Sequence, residues 1–148
     1  MDHFHEQRLV QLKNFKCKVS STQESSGNFS KQNMFDDSED TCWYSKPGSN
    51  QFIILAFDKP VVLAQIKIMF QGGFVGTTTL VESERSQLGW VGLCEAFHLE
   101  DGNALQTLSL PSDGVAYQMY RINFVSSSDF YGRITIYKLE VFGYESDC

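Results

Sequence analysis

The chain has only 12 Lys and Arg residues against 18 Asp and Glu, giving a net charge of -6, and the basic residues are scattered rather than clustered. That balance argues against a protein that holds nucleic-acid phosphates directly, because such binding rests on grouped cations. No run of eighteen apolar residues occurs, so no membrane-spanning helix is expected. The opening MDHFHEQRLVQLKNFKCK carries charge throughout and lacks the apolar centre of a secretory leader, so an intracellular protein is expected. The four cysteines, Cys17, Cys42, Cys94 and Cys148, form no C-x-x-C pair. A zinc ribbon and a redox motif therefore go unsupported, and free thiols in a reducing compartment are expected.

Catalytic signatures are missing too. There is no G-x-S-x-G elbow, no phosphate-cradling G-x-x-x-x-G-K and no H-E-x-x-H. Of the three histidines, His3 and His5 lie near the start and His98 stands alone. An isolated imidazole is more often an ordinary surface or packing residue than a catalytic base. The sequence thus predicts no enzyme and no cofactor.

What is present reads as strands. Gln51–Phe57 is a short apolar run stopped by Asp58-Lys59-Pro60, the size and punctuation of a buried strand. From Val61 to Gln71, Ile66, Ile68 and Phe70 take one face while Gln65, Lys67, Met69 and Gln71 take the other. Tyr120, Ile122 and Phe124 repeat the pattern. In Arg133–Phe142 the phase changes: Ile134 and Ile136 set one parity, Leu139 and Val141 the other. A bulge at Tyr137-Lys138 must absorb the slip, or the core face would turn to water.

Polar or Gly-rich turns separate these runs: KPGSN, QGG, EDGN, PSDG and SSSDFYG. Many short strands so punctuated predict an all-β, antiparallel sandwich or barrel in one domain. Residues 1–17 read as an N-terminal arm or short helix, 18–144 as the β domain, and 145–148 as a tail. Residues 20–33 read as loop.

Three stretches invite functional readings. MFDDSEDTCWYS sets four carboxylates, Asp36, Asp37, Glu39 and Asp40, just before Trp43. A calcium loop of the EF-hand type fails on spacing: counted from Asp36 its sixth residue is Thr41, not glycine, and its twelfth is Pro47, not glutamate. Trp43 reads as a core plug whose indole finds a carbonyl, or as a ligand-stacking platform. Gln71, Gly72, Gly73 and Phe74 form a tight loop or a partner contact, since Phe74 is a large apolar group on a loop expected to be exposed. Asp129, Phe130, Tyr131 and Arg133 either pin their loop to itself or form a binding rim, aromatic residues plus arginine being typical of interface hot spots.

Together MFDDSEDTCWYS, IKIMFQGGF and SSSDFYGRITIYKLEVFG resemble the discoidin, or coagulation-factor type C, domains with their galactose-binding-like jelly roll. FDDSEDTCW, FQGGF, LEDGNALQT and DFYGRITIY, in that order, are similar to a narrower family of small single-domain proteins associated with an orphan nuclear receptor. The resemblance covers about residues 18 to 143. It implies a sandwich of about eight strands, a monomer in the nucleus and secondarily the cytoplasm, and an orphan nuclear receptor as protein partner. The implied role is that of a co-repressor suppressing receptor binding to DNA. A carbohydrate- or lipid-binding discoidin module is the alternative. In calcium-bearing discoidin domains the D-G-D-x-x-T turn and a glutamate of the last strand hold the ion. Here Asp36 and Thr41 match, but Ser38 takes the second acidic position and Lys138 the glutamate position, which implies a degenerate calcium site without metal. Lys138 is then expected to lie near Asp36 as a fixed cation.

Overall fold

A computed structural model describes residues 8–23, 29–111 and 114–145. Ten strands follow in chain order: β1 (Val10–Gln11), β2 (Phe15–Val19), β3 (Trp43–Tyr44), β4 (Gln51–Phe70), β5 (Thr78–Arg85), β6 (Gly89–Gly92), β7 (Phe97–His98), β8 (Leu105–Ser109), β9 (Tyr117–Ser126) and β10 (Thr135–Glu145). A short 3-10 helix, Lys31–Phe35, precedes β3. Every strand pairing is antiparallel.

The expected stop after Phe57 is not a chain break. β4 runs on through Asp58, Lys59 and Pro60, and it serves both layers of the sandwich. Its first half lies between β2 and β9, while its second half lies between β10 and β8. The pairing with β9 slips between Ala56 and Val61, where the strand crosses from one layer to the other. Pro60 is tolerated there because a corner needs no ladder donor from it. β9 also clamps the corner: Tyr120 donates its hydroxyl proton to the Val61 carbonyl at 2.6 Å and accepts from the Leu63 amide at 3.2 Å. The Gln118 amide group bonds the Phe57 carbonyl at 3.1 Å.

The expected arm or short helix over residues 1–17 holds, among its described residues, strand β1 and the start of β2. β1 pairs with β10 and β2 with β4. Leu12 between them is buried, and Phe15 packs edge-on against Phe57 at 5.4 Å. Phe15, Cys17 and Val19 alternate with Lys16 and Lys18, the half-buried pattern of a sheet edge. At the other end, Glu145 closes β10 rather than opening a tail; residues 1–7 and 146–148 lie outside the described residues.

The core is formed by the inner faces of both layers, with Trp43, Ile53, Leu55, Ile66, Phe70, Tyr120, Ile122 and Ile136 among its fully buried side chains. The parity change in β10 is a register shift between Ile136 and Lys138, with Tyr137 as the extra residue. It keeps both Ile136 and Leu139 in the core.

Cys17, Cys42 and Cys94 are free thiols, and Cys148 lies outside the described residues. Burial raises the Cys17 thiol from 9.0 to about 11, with Lys31 pulling weakly the other way. The folded state thus keeps a proton that the unfolded chain gives up sooner. Its contribution is fully present below about pH 9 and is lost as pH rises toward 11. Urea melts at about pH 8 and about pH 10.5 are expected to show the wild type losing about 1–2 kcal/mol more than Cys17→Ala; equal losses would contradict the burial.

Candidate functional site at the loop end of the sandwich

Four loops that are remote in sequence meet at one end of the sandwich. The turn 46–50 joins the loop 126–132 through the Gly48 amide, which donates to the Tyr131 carbonyl at 2.8 Å. The loop 71–74 is tied to β10: the Gln71 amide donates to the Thr135 carbonyl at 3.0 Å, and the Thr135 amide to the Phe74 carbonyl at 3.1 Å. From its other side, the loop 99–104 reaches over. Gly72 and Gly73 donate their amides to Asn103 Oδ1 at 2.6 Å and Asp101 Oδ1 at 2.8 Å. Gly73 has φ +92°, a conformation that favours glycine, so the paired glycines serve the turn.

Arg133 organises the centre. Its Nε and Nη2 grip Asp129 Oδ2 and Oδ1 at 2.8 and 2.9 Å, a two-pronged contact that only guanidinium geometry gives. The Arg133 amide adds a third bond to Oδ2 at 3.0 Å. Hydrogen bonding to Arg133 holds the Asp129 carboxyl below the usual carboxylate range. Conversely, Asp129 holds the Arg133 guanidinium firmly protonated. The guanidinium also lies over the rings of Phe74 and Tyr131, at 5.2 and 5.5 Å, and Nη1 donates to the Tyr44 hydroxyl at 3.2 Å.

Phe74 therefore departs from expectation. It is half-buried, set edge-on to Tyr44 at 5.7 Å beneath Arg133, because a cation finds its best neutral partner in a ring face. The exposed apolar groups are its neighbours across the loop. Phe130 is 93% exposed and Tyr131 62%, with ring centroids 5.2 Å apart. Asp129 and Arg133 pin the loop and, by pinning it, present this pair.

Trp43 is the core plug: fully buried, its indole N–H donates to the Ser21 carbonyl at 2.9 Å. The acidic turn closes on itself. Asp36 Oδ2 accepts from the Thr41 hydroxyl at 2.5 Å, Oδ1 accepts from the Ser38 amide at 3.0 Å, and the Ser38 hydroxyl caps the Asp40 amide at 3.1 Å. These bonds, Thr41 foremost, lower the Asp36 pKa. Both carboxylate oxygens are engaged within the turn, and no group of three His, Cys, Asp or Glu residues among those described could hold a metal. Among the described residues Lys138 makes no ion pair with Asp36, because the turn already satisfies that carboxylate locally. Lys138 instead lines a groove together with Asp37.

The sequence reading missed Tyr44, Gly48, Asp101 and Asn103. The EDGN turn and the tyrosine after Trp43 were visible, but nothing local tied them to Gly72 or Arg133.

No protein-family model matches the chain. Among solved structures, it is similar to a Clostridium perfringens CBM32 module in complex with GalNAc-β-1,3-galactose, with a TM-score of 0.74 at 17% identity, over 90% of this chain and 100% of that one. It is also similar to an F5/8 type C domain from Bacteroides fragilis, with a TM-score of 0.73 at 11% identity, over 93% and 98%. These likenesses show a discoidin-like β-sandwich fold. Among curated proteins, nuclear receptor 2C2-associated protein of Xenopus laevis is 41% identical over 115 residues, covering 78% of this chain and 82% of the relative. The proteins of that name from Mus musculus and Homo sapiens are 37% and 35% identical, with 80% and 81% of their lengths covered. Identity at that level over most of both chains places this protein in the nuclear receptor 2C2-associated protein family.

Proposed function

We propose that this chain is a non-enzymatic binding module that docks a nuclear receptor through its loop-end platform and, in the nucleus, represses transcription by keeping the receptor from its DNA element. The observation that carries the docking surface is the exposed Phe130–Tyr131 pair on the Asp129–Arg133 frame. Large aromatic groups held out on a pre-ordered loop bury area on binding with little further loss of freedom. The relatives' name supports the partner class.

The decisive experiment is a titration of purified nuclear receptor 2C2, followed by a mobility-shift assay of receptor on its DNA element. Phe130→Ala with Tyr131→Ala is expected to weaken binding by about thirtyfold or more, the loss of about 2 kcal/mol. Stability should move by less than about 0.5 kcal/mol, since both side chains face solvent. Wild-type protein should release receptor from DNA and the double variant should not. Unchanged receptor binding in a folded double variant would remove this platform from the receptor interface. Galactose-containing glycans run as a parallel arm separate the lectin reading, in which the same two rings would stack on a sugar.

A further inference from the structure

A groove of about 730 Å³ on the flank of the sandwich shares no residue with the loop-end platform. Its floor includes the buried Leu12, Met34, Leu139 and Val141. Phe15 and Phe35 wall it, edge to face at 5.4 Å, and Phe35 keeps 36% of its surface exposed. Lys13, Lys16, Lys31 and Lys138 line it against only Asp37 and Glu140. That local excess of positive charge sits on a chain whose net charge is -6. Among the described residues, none of these four lysines is held in an ion pair.

The groove also runs along an incomplete edge. β3 pairs with β10 at Thr135 and Ile136, and β1 at Phe142 and Gly143. Between them, the span 137–140 has β4 on one side and, among the described residues, no strand on the other, where the 3-10 helix Lys31–Phe35 packs against β10. The Leu12 amide donates to the Val141 carbonyl at 2.8 Å, so Val141 turns its main-chain groups to this edge. Antiparallel alternation then turns the N–H and C=O of Leu139, two residues earlier, the same way.

We propose that this groove docks an extended acidic segment of a partner protein with apolar side chains at alternate positions. The segment's main chain adds to β10 at Leu139, its apolar residues meet Phe15 and Phe35, and its carboxylates meet the four lysines. Strand addition supplies affinity through the main chain, and the alternation of an extended chain supplies the apolar and acidic faces. A purely anionic ligand such as a phosphate backbone would leave the apolar floor and walls unused. This inference stands apart from receptor binding at the loop end, and its test contains no receptor.

The probe is a fluorescently labelled synthetic peptide alternating glutamate and leucine, titrated by polarisation against the folded chain. Saturable binding that weakens with salt is expected. Lys31→Glu with Lys138→Glu should reduce affinity about tenfold or more. If that double variant fails to fold, Lys13→Glu in the connection between β1 and β2 with Lys16→Glu on the exposed side of β2 replaces it, with the same expected loss. Phe130→Ala with Tyr131→Ala should bind the peptide as the wild type does. The proposal is overturned if the wild type does not bind the acidic peptide, or if a lysine–leucine peptide binds equally. Indifference to charge reversal overturns it too, as does capture of a single-stranded oligonucleotide or phosphatidylserine vesicle in place of the peptide.

Discussion

Trp43→Ala is expected to lower stability by about 3–5 kcal/mol, the usual cost of emptying a fully buried large aromatic site. The expectation rests on three features that converge on one side chain. Trp43 has no exposed surface, so the whole indole volume becomes a cavity. It sits on a two-residue strand whose only described ladder is to β10, opposite the fully buried Ile136, so the cavity would open inside the core. Its N–H satisfies the Ser21 carbonyl, which would lose that partner. A domain of this size has about 5–15 kcal/mol in total, so the variant should populate unfolded forms well below the wild-type urea midpoint. Trp43→Phe keeps most of the ring but not the donor, and should recover a large part of the loss. A Trp43→Ala cost below about 1 kcal/mol would contradict the packing described here.

The second large effect is expected at Gly132, and it falls on binding as well as folding. Gly132 has φ +83°, in the left-handed region that favours glycine. A β-carbon there would also run into the carbonyl of Gly48, the residue whose amide ties the two loops together. Backbone cannot swing aside as a flexible side chain can. Gly132→Ala should therefore separate turn 46–50 from loop 126–132, at a cost of about 2 kcal/mol or more from strain and lost bonding. Phe130 and Tyr131 would remain present but no longer held, so receptor affinity should fall about as far as in their own alanine variants. Thermal melting and receptor titration on the same preparation check both halves. A variant that melts and binds like the wild type would show that the loop does not depend on this approach.

Local sequence carried much of the architecture, and where it failed the missing information lay far away along the chain. The parity change around Tyr137 announced its bulge because period-two alternation is a strict rule for a half-buried strand. Asp58-Lys59-Pro60 misled because turn chemistry and a strand crossing between layers look alike locally; what distinguishes them is the clamp by Tyr120 and Gln118, over fifty residues away. β2 was legible in principle, since Phe15, Cys17 and Val19 alternate with lysines, but the charge around it resembled an arm. At the loop end, Asp129 and Arg133 were recognisable as a pair, while the burial of Phe74 depended on Arg133 and Tyr44 arriving from other strands. The groove lysines could not be gathered from sequence at all, because they come from the β1–β2 connection, β2, the 3-10 helix and β10 and meet only after folding.

The double service of β4 also constrains how the chain can acquire its structure. Its first half awaits β9 and its second half β10, while Val10 finds Gly143 only when nearly the whole described chain is available. The layer around the second half of β4 cannot close during synthesis until residues 135–145 have emerged, so that half of the long apolar strand waits for β10 while the rest is being made. Such non-local pairing makes for slow folding and a nascent form open to aggregation. The same sharing joins the layers into one cooperative unit: opening β4 exposes both at once, so amide exchange in the two sheets should converge on a single global rate.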